Sequence, residues 1–249
     1  MKHFLFATLA ILLCLPLWAD TGEHRPDAKA ILDRVLASRP TKSFSLKARL
    51  FVGRAEPVPV EILVQNSPAE TRTIYRGGQT EALVIQPVRA APRYYLRGVG
   101  ELTGARRTGT LLGSQFSYYD LGLPFLHWPG AKFLGEDRVR GRDCFAIESV
   151  AEGEPYARVK LWIDKEYFAL LRAEAFDANG DLTRRFAITS FKRISAVWIP
   201  RGLEASFVPP AQSLPSEEKS RLEVYEGNYD AALPPEWFAP ERFEAAASH

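Results

Sequence analysis

The stretch ARVKLWIDKEYFALLRAEAFDANGDLTRRFAI, residues 157–188, decides the fold class. Apolar and polar side chains alternate along it with the two-residue period of a half-buried strand, which predicts strands over 157–164, 168–176 and 183–193. The turn Asp177-Ala178-Asn179-Gly180 separates the last two strands, and its Asn-Gly pair is typical of a hairpin with positive φ at both positions. Connections this short join antiparallel neighbours, so the stretch predicts an antiparallel sheet.

The alternation continues on both sides of this stretch. It is clear over Leu46–Val52 and Val58–Val64, which predict two strands joined across residues 53–57. One amphipathic helix is expected before them, over residues 27–38, because apolar residues recur there at helical spacing and Asp27 suits a helix N-terminus. No helix separates consecutive strands, which argues against doubly wound and barrel α/β folds. Further strands are expected at 71–77, 81–87, 92–98, 132–139, 143–150, 197–207 and 220–226.

Residues 98–130 break the pattern. This segment, called the flap below, contains seven glycines, and large apolar side chains concentrate toward its end. A solvated loop does not carry so many aromatic residues, so the flap is expected to contain short helices and to cover part of the sheet. Residues 209–218 are rich in Pro and Ser and predict a polar loop. One domain is expected over residues 20–249.

The N-terminus has the features of an export signal. Lys2 precedes an apolar run from Phe4 to Leu17, and Ala19 is a small residue suited to cleavage. The prediction is a signal peptide over residues 1–19 and a periplasmic mature protein; an uncleaved anchor stays an alternative. Cleavage would leave Cys144 as the one cysteine, in an apolar run that predicts a buried structural thiol.

Composition and motifs exclude several classes of function. The 249 residues include 32 Lys and Arg against 30 Asp and Glu, a net charge of +2, so no basic surface for nucleic acid is expected. The motifs of zinc proteases, serine hydrolases and thiol redox proteins are not present. His127 lies between Leu126 and Trp128, where a packing role is expected. We therefore assign no catalytic residue, metal or cofactor from the sequence.

Several motifs follow one another in an order typical of one known family. They are the helix 27–38 with Ser43-Phe44-Ser45, then Gly113-Ser114-Gln115-Phe116-Ser117-Tyr118-Tyr119-Asp120-Leu121, Trp162-Ile163-Asp164, Asn179-Gly180 and Trp198-Ile199-Pro200. In these motifs the chain resembles the LolA-like family of periplasmic lipoprotein-sorting proteins. The resemblance covers most of residues 27–243 and implies a strongly curved, incomplete antiparallel β-barrel with a helix and a lid over an apolar cavity. In the family an arginine near the first strands tethers the lid; Arg49 lies in the corresponding strand, but the local match does not assign it that role.

The resemblance implies a carrier that takes up acyl chains of lipoproteins, or related lipids, for transfer toward the outer membrane. Its implied partners are an inner-membrane release machinery and an outer-membrane acceptor. The alternatives are a sensing module that binds lipid or lipoprotein and acts through a protein partner, an enzyme with titratable groups converging in the cavity, and a closed core without a cavity. The residues expected to line the cavity are Leu46, Leu50, Val60, Ile62, Val84, Leu96, Phe116, Tyr118, Phe125, Trp128, Leu161, Ile163, Phe186 and Ile188.

Overall fold

A computed structural model describes residues 26–195, 197–209 and 218–244. The predicted signal peptide and nearly all of the predicted loop 209–218 lie outside the described residues. The strands are β1 (Phe44–Val52), β2 (Val58–Asn66), β3 (Glu70–Gly77), β4 (Thr80–Pro87), β5 (Arg93–Leu96), β6 (Gly100–Glu101), β7 (Gly130–Val139), β8 (Arg142–Val150), β9 (Arg158–Asp164), β10 (Leu170–Phe176), β11 (Leu182–Ile194), β12 (Val197–Phe207) and β13 (Glu218–Tyr229). The α-helices are α1 (Ala28–Ala37) and α2 (Tyr118–Leu121), and short 3₁₀ turns lie at Gly104–Thr108, Leu111–Gly113, Pro124–Leu126, Pro235–Phe238 and Pro240–Phe243.

The strands form one antiparallel sheet with a simple path. Strands β1 to β6 lead step by step from the middle of the sheet to one edge, and β7 lies at the opposite edge. From there β8 to β13 lead back, until β13 pairs with β1. Because β6 and β7 do not pair, the sheet is not closed, which confirms the predicted incomplete antiparallel barrel. The flap connects the two edges and must cross the sheet to do so.

Helix α1 follows the sequence pattern closely. The side chain of Asp27 accepts a hydrogen bond from the backbone N of Lys29, at 3.0 Å, and so caps the first turn. One face of the helix is buried, through Ile31, Leu32 and Leu36. The helix packs against β7, the strand at one edge of the sheet.

The two faces of the sheet are covered by different parts of the chain. On the inner face, apolar side chains such as Leu46 and Leu161 form one cluster with α1 and the flap. On the outer face of β2 to β5, Ile74 and its neighbours pack against Phe238 and Phe243 from the C-terminal 3₁₀ turns. Strand period 2 explains the division, since successive side chains point to opposite faces.

The turn between β10 and β11 differs from the prediction. Five residues separate the strands, and only Gly180 of the Asn-Gly pair has a positive φ, of 88°. The side chain of Asp177 accepts hydrogen bonds from the backbone N of Asn179 and of Asp181, at 2.9 and 3.0 Å. The predicted hairpin is present, but this Asx-type turn makes positive φ at Asn179 unnecessary, so the prediction of positive φ at both positions was wrong.

Candidate ligand-binding site

The flap packs into the inner face through its aromatic side chains. Phe116 is fully buried and lies edge-on to Phe186 of β11, with ring centroids 6.3 Å apart. Tyr119 of α2 stacks on Tyr94 of β5, also at 6.3 Å. A side chain at Gly122 would collide with the Tyr94 ring, so the flap approaches β5 at a point where only glycine fits.

The structure brings nearly all the predicted cavity residues together. Leu96 and Phe186 are partly buried against the inner cluster, and Ile188 is buried but lies outside it. That these side chains contact a ligand stays a prediction. The buried members of the cluster are Leu46, Leu50, Val60, Ile62, Val84, Phe116, Tyr118, Phe125, Trp128, Leu161 and Ile163.

The space beneath the middle of the flap is almost filled. A cavity of about 10 Å³ remains there, with Phe125, Phe186 and Asp120 among its lining residues. This volume is about what a single water molecule needs. The middle of the flap therefore acts as part of the core in this conformation.

A much larger groove, of about 1000 Å³, lies along one side of the flap. Its walls come from α1, the β4–β5 connection at residues 88–92, the flap at residues 124–129, and the segment 151–154 after β8. It therefore lies where the two edges of the open sheet fail to meet. Ligand pockets in proteins measure about 300–1,000 Å³, so this groove can accept a sizeable molecule.

The floor of the groove is apolar. It is formed by Leu32 and Leu36 of α1 together with Leu126 and Trp128 of the flap, all of them buried. Of the predicted cavity residues, Trp128 is the one that lines this groove. The α1 residues were not predicted as groove residues, because an apolar helix face indicates only that the helix packs on the sheet. Nothing in the sequence shows that part of this face borders a groove.

The rim of the groove carries balanced charge. Lys29 and Asp33 form an ion pair across one helical turn, at 2.7 Å. Arg107 and Glu154 pair at 3.3 Å on the other side, and Glu154 also accepts a hydrogen bond from the Tyr119 hydroxyl at 2.9 Å. Together with Arg89 and Glu152, the rim has three positive and three negative side chains. It gives no net attraction to a charged headgroup.

A polar latch holds α2 to the sheet. Asp120 of α2 forms an ion pair with Arg184 of β11 at 3.0 Å and accepts a hydrogen bond from the Tyr156 hydroxyl at 2.8 Å. Arg184 also donates to the carbonyl oxygen of Gln115. Burial, and then the charge of Asp120, raise the pKa of Tyr156, so its phenol stays protonated and donates.

Sequence analysis did not identify this latch. Arg184 shares the inner face of β11 with Phe186 and Ile188, and a charged residue within an apolar face was the available signal. Arg49, to which the sequence match assigned no lid-tethering role, is exposed, and its guanidinium lies 5.1 Å from the ring centre of Tyr225.

Among the described residues, no group of three or more His, Cys, Asp or Glu side chains could hold a metal ion. Cys144 is fully buried, and burial raises the pKa of its thiol, which disfavours the reactive thiolate. Burial and the neighbouring Arg39 lower the pKa of His127, so this groove residue is neutral at pH 7.

No described helix combines the length and apolar character needed to span a bilayer.

An open antiparallel sheet with a helix and a flap over one face defines the LolA-like fold, and comparison with solved structures confirms it. The chain is similar to a putative outer membrane lipoprotein-sorting protein domain from Vibrio parahaemolyticus, at 16% identity and a TM-score of 0.73, over 86% of this chain and 97% of that one. It is similar to a DUF1329 family protein from Desulfovibrio piger, at 16% identity and a TM-score of 0.70, over 87% and 97% of the two chains. A LolA superfamily protein from Nitrosomonas europaea follows, at 18% identity and a TM-score of 0.57, over 86% and 98%.

A family model also matches the chain and assigns it to a family. It is described as an uncharacterized protein and matches residues 95–245, which include the flap and β7 to β13. The chain belongs to this family. A comparison with curated proteins gave no match.

Proposed function

We propose that the protein is a periplasmic carrier that binds acyl chains of lipoproteins, or of related lipids, and passes them toward the outer membrane. The observation that carries the proposal is the groove of about 1000 Å³ with an apolar floor between α1 and the flap. The LolA-like fold and the name of the Vibrio parahaemolyticus protein support this choice of ligand class. Binding and release require no chemical step.

The energetics suit a reversible carrier. Each CH₂ group taken from water contributes about 0.8 kcal/mol, so a long acyl chain gains on the order of 10 kcal/mol before the costs of ordering it. Release needs a way to offset that gain. Opening the flap breaks the contacts of Asp120 with Arg184 and Tyr156, and later closure restores them. Partners at the two membranes, a release machinery and an acceptor, would supply and remove the cargo.

Displacement of a hydrophobic fluorescent probe tests the proposal. The purified protein should bind N-phenyl-1-naphthylamine, and a long-chain monoacylglycerol should displace it. Ala151→Trp fills part of the groove, because Ala151 lines it and is half-buried, and should weaken binding about ten-fold or more. Ala55→Trp is the matched control, since Ala55 is exposed in the β1–β2 connection. A folded wild-type protein that neither binds the probe nor co-purifies with lipid would refute the carrier function.

A further inference from the structure

Three buried polar side-chain atoms make no hydrogen bond to any described residue: Nε2 of His127, Nε1 of Trp128 and Oγ of Ser149. Buried polar groups in folded proteins nearly always have partners, because leaving one unpaired costs about 1–3 kcal/mol. Unpaired atoms that cluster in one place therefore indicate a site that a ligand completes.

These three atoms belong to one region of the molecule. His127 and Trp128 are consecutive, and both line the groove. Ser149 of β8 lies directly opposite Ala131 of β7 in the strand pairing, and Ala131 also lines the groove. Ser149 shares the inner face with Ile147, two residues before it. His127 and Trp128 therefore line the groove just before β7 begins, and Ser149 lies beside the groove, opposite Ala131 and fully buried.

The hydrogen-bonding chemistry of the three groups limits which ligand groups can pair with them. The indole N–H of Trp128 is a donor only, and Trp128 is buried, with 7% of the residue's surface exposed. The Ser149 hydroxyl and the neutral His127 imidazole can each donate or accept. The site therefore requires at least one acceptor and tolerates a donor beside it. The balanced charges on the rim give no reason for that acceptor to be an anion.

We infer that this end of the groove is a subsite for the carbonyl of an acyl ester or acyl amide, the linkage that joins a fatty chain to its headgroup. Because these atoms are closed to the groove in this conformation, the ligand reaches them when the side chains of residues 127–128 turn toward it. The Trp128 N–H then donates to the carbonyl oxygen, and His127 bonds the remaining polar atom of the linkage. The chain then runs along the apolar floor formed by Leu32, Leu36 and Leu126. This inference rests on the proposed function and narrows it to the linkage that the groove recognises.

A comparison of matched amphiphiles tests the subsite. Glyceryl monooleate and glyceryl oleyl ether differ in the carbonyl alone, and oleoyl ethanolamide and oleate add the amide and the carboxylate. One neutral hydrogen bond corresponds to an affinity ratio of about five. The wild-type protein should therefore prefer the ester and the amide over the ether about five-fold. Trp128→Phe keeps the ring and removes the N–H, and should bring the ratio of ester to ether affinity close to one.

Trp198→Phe is the control, because Trp198 is 59% exposed in β12 and does not line the groove. It should keep the five-fold preference. In the wild-type protein labelled with ¹⁵N-tryptophan, the Trp128 indole N–H proton should shift further downfield with the ester than with the ether, a readout that holds even if Trp128→Phe fails to fold.

The outcomes separate the two proposals. If none of the amphiphiles binds, the carrier function itself fails. If ester and ether bind the wild-type protein equally, or Trp128→Phe weakens both alike, the carrier function stands and the carbonyl subsite is refuted. Tighter binding of oleate than of the ester, with strong dependence on salt, would also refute it and would assign the site to a carboxylate.

Discussion

The two segments that cover the sheet differ in how completely they fill the space and pair the polar groups on their side of it. The C-terminal cover, the 3₁₀ turns over residues 235–243, places Phe238 and Phe243 fully buried on the outer face. It is tied to the sheet by Arg72, which donates to the carbonyl oxygen of Phe238 at 3.1 Å. The flap on the inner face also buries aromatic side chains, but a groove and three unpaired polar atoms lie beside it.

This difference indicates where a ligand can act. A cover that fills its face and pairs its polar groups gains nothing from a further molecule. A cover that leaves volume and unpaired donors has binding energy still available to a ligand. The flap is also held by the ion pair of Asp120 with Arg184 and by the hydrogen bond from Tyr156. The outer cover combines its apolar burial with the Arg72 hydrogen bond and a longer contact of 4.0 Å between Arg242 and Glu81.

The largest expected effect breaks the outer cover. Phe238→Ala removes a fully buried ring and should lower the free energy of unfolding by about 3–5 kcal/mol, measured by urea denaturation. Probe affinity of the folded variant should match the wild type, because Phe238 lies on the face opposite the groove. A loss of probe binding by a folded Phe238→Ala protein would show that the two faces are coupled.

A smaller effect is expected from weakening the flap latch. Asp120→Asn leaves the Arg184 guanidinium without its carboxylate and should lower the free energy of unfolding by about 2 kcal/mol. Because the flap opens more often, amide hydrogen exchange should accelerate over residues 104–126 and not in β2 to β4. Probe association should become faster.

Asp143→Asn provides the matched control for the latch. Asp143 pairs with Arg138 at 3.1 Å, but both side chains are about 70% exposed, so their pairing contributes little to stability. Exchange in the flap should stay at the wild-type rate in this variant. Equal flap exchange in Asp120→Asn and Asp143→Asn would refute the latch.

The sheet could be predicted from sequence because its signal is local. Alternation along a strand depends on neighbouring residues alone, so the expected strand 143–150 corresponds to β8 and 197–207 to β12 within one residue at each end. Strand β6 has only two residues and shows no alternation, which explains why it was missed.

The site could be predicted only in part, because it depends on non-local distances. The sequence identifies the apolar face and the flap, and Trp128 belongs to both. It does not place Asp120 beside Arg184, since the two residues lie 64 positions apart in the chain. The sequence also does not indicate that a groove separates α1 from the β4–β5 connection. That gap depends on β6 and β7 remaining unpaired at the two edges of the sheet.

The smallest expected effect concerns pH and tests the electrostatics of the groove. His127 has a lowered pKa in the folded protein, first because burial disfavours the imidazolium and second because Arg39 repels it. The unfolded chain, with a histidine pKa of about 6.5, therefore binds a proton before the folded protein does. Stability contributed by neutral His127 is present above pH 6.5 and declines as the pH falls toward the folded pKa.

Urea denaturation at pH 7 and pH 5 measures this contribution. The wild-type protein should lose more stability between the two values than His127→Gln, which has no imidazole to protonate. Subtracting the variant removes the titration of carboxylates, which is common to both proteins. Arg39→Gln removes the repelling cation but leaves the imidazole buried. The stability that this variant loses between pH 7 and pH 5 should therefore lie between the losses of the wild type and of His127→Gln. Equal losses in the wild type and His127→Gln would mean that the imidazole reaches water when folded, and a hydrated imidazole could not serve as a partner for a buried acyl linkage.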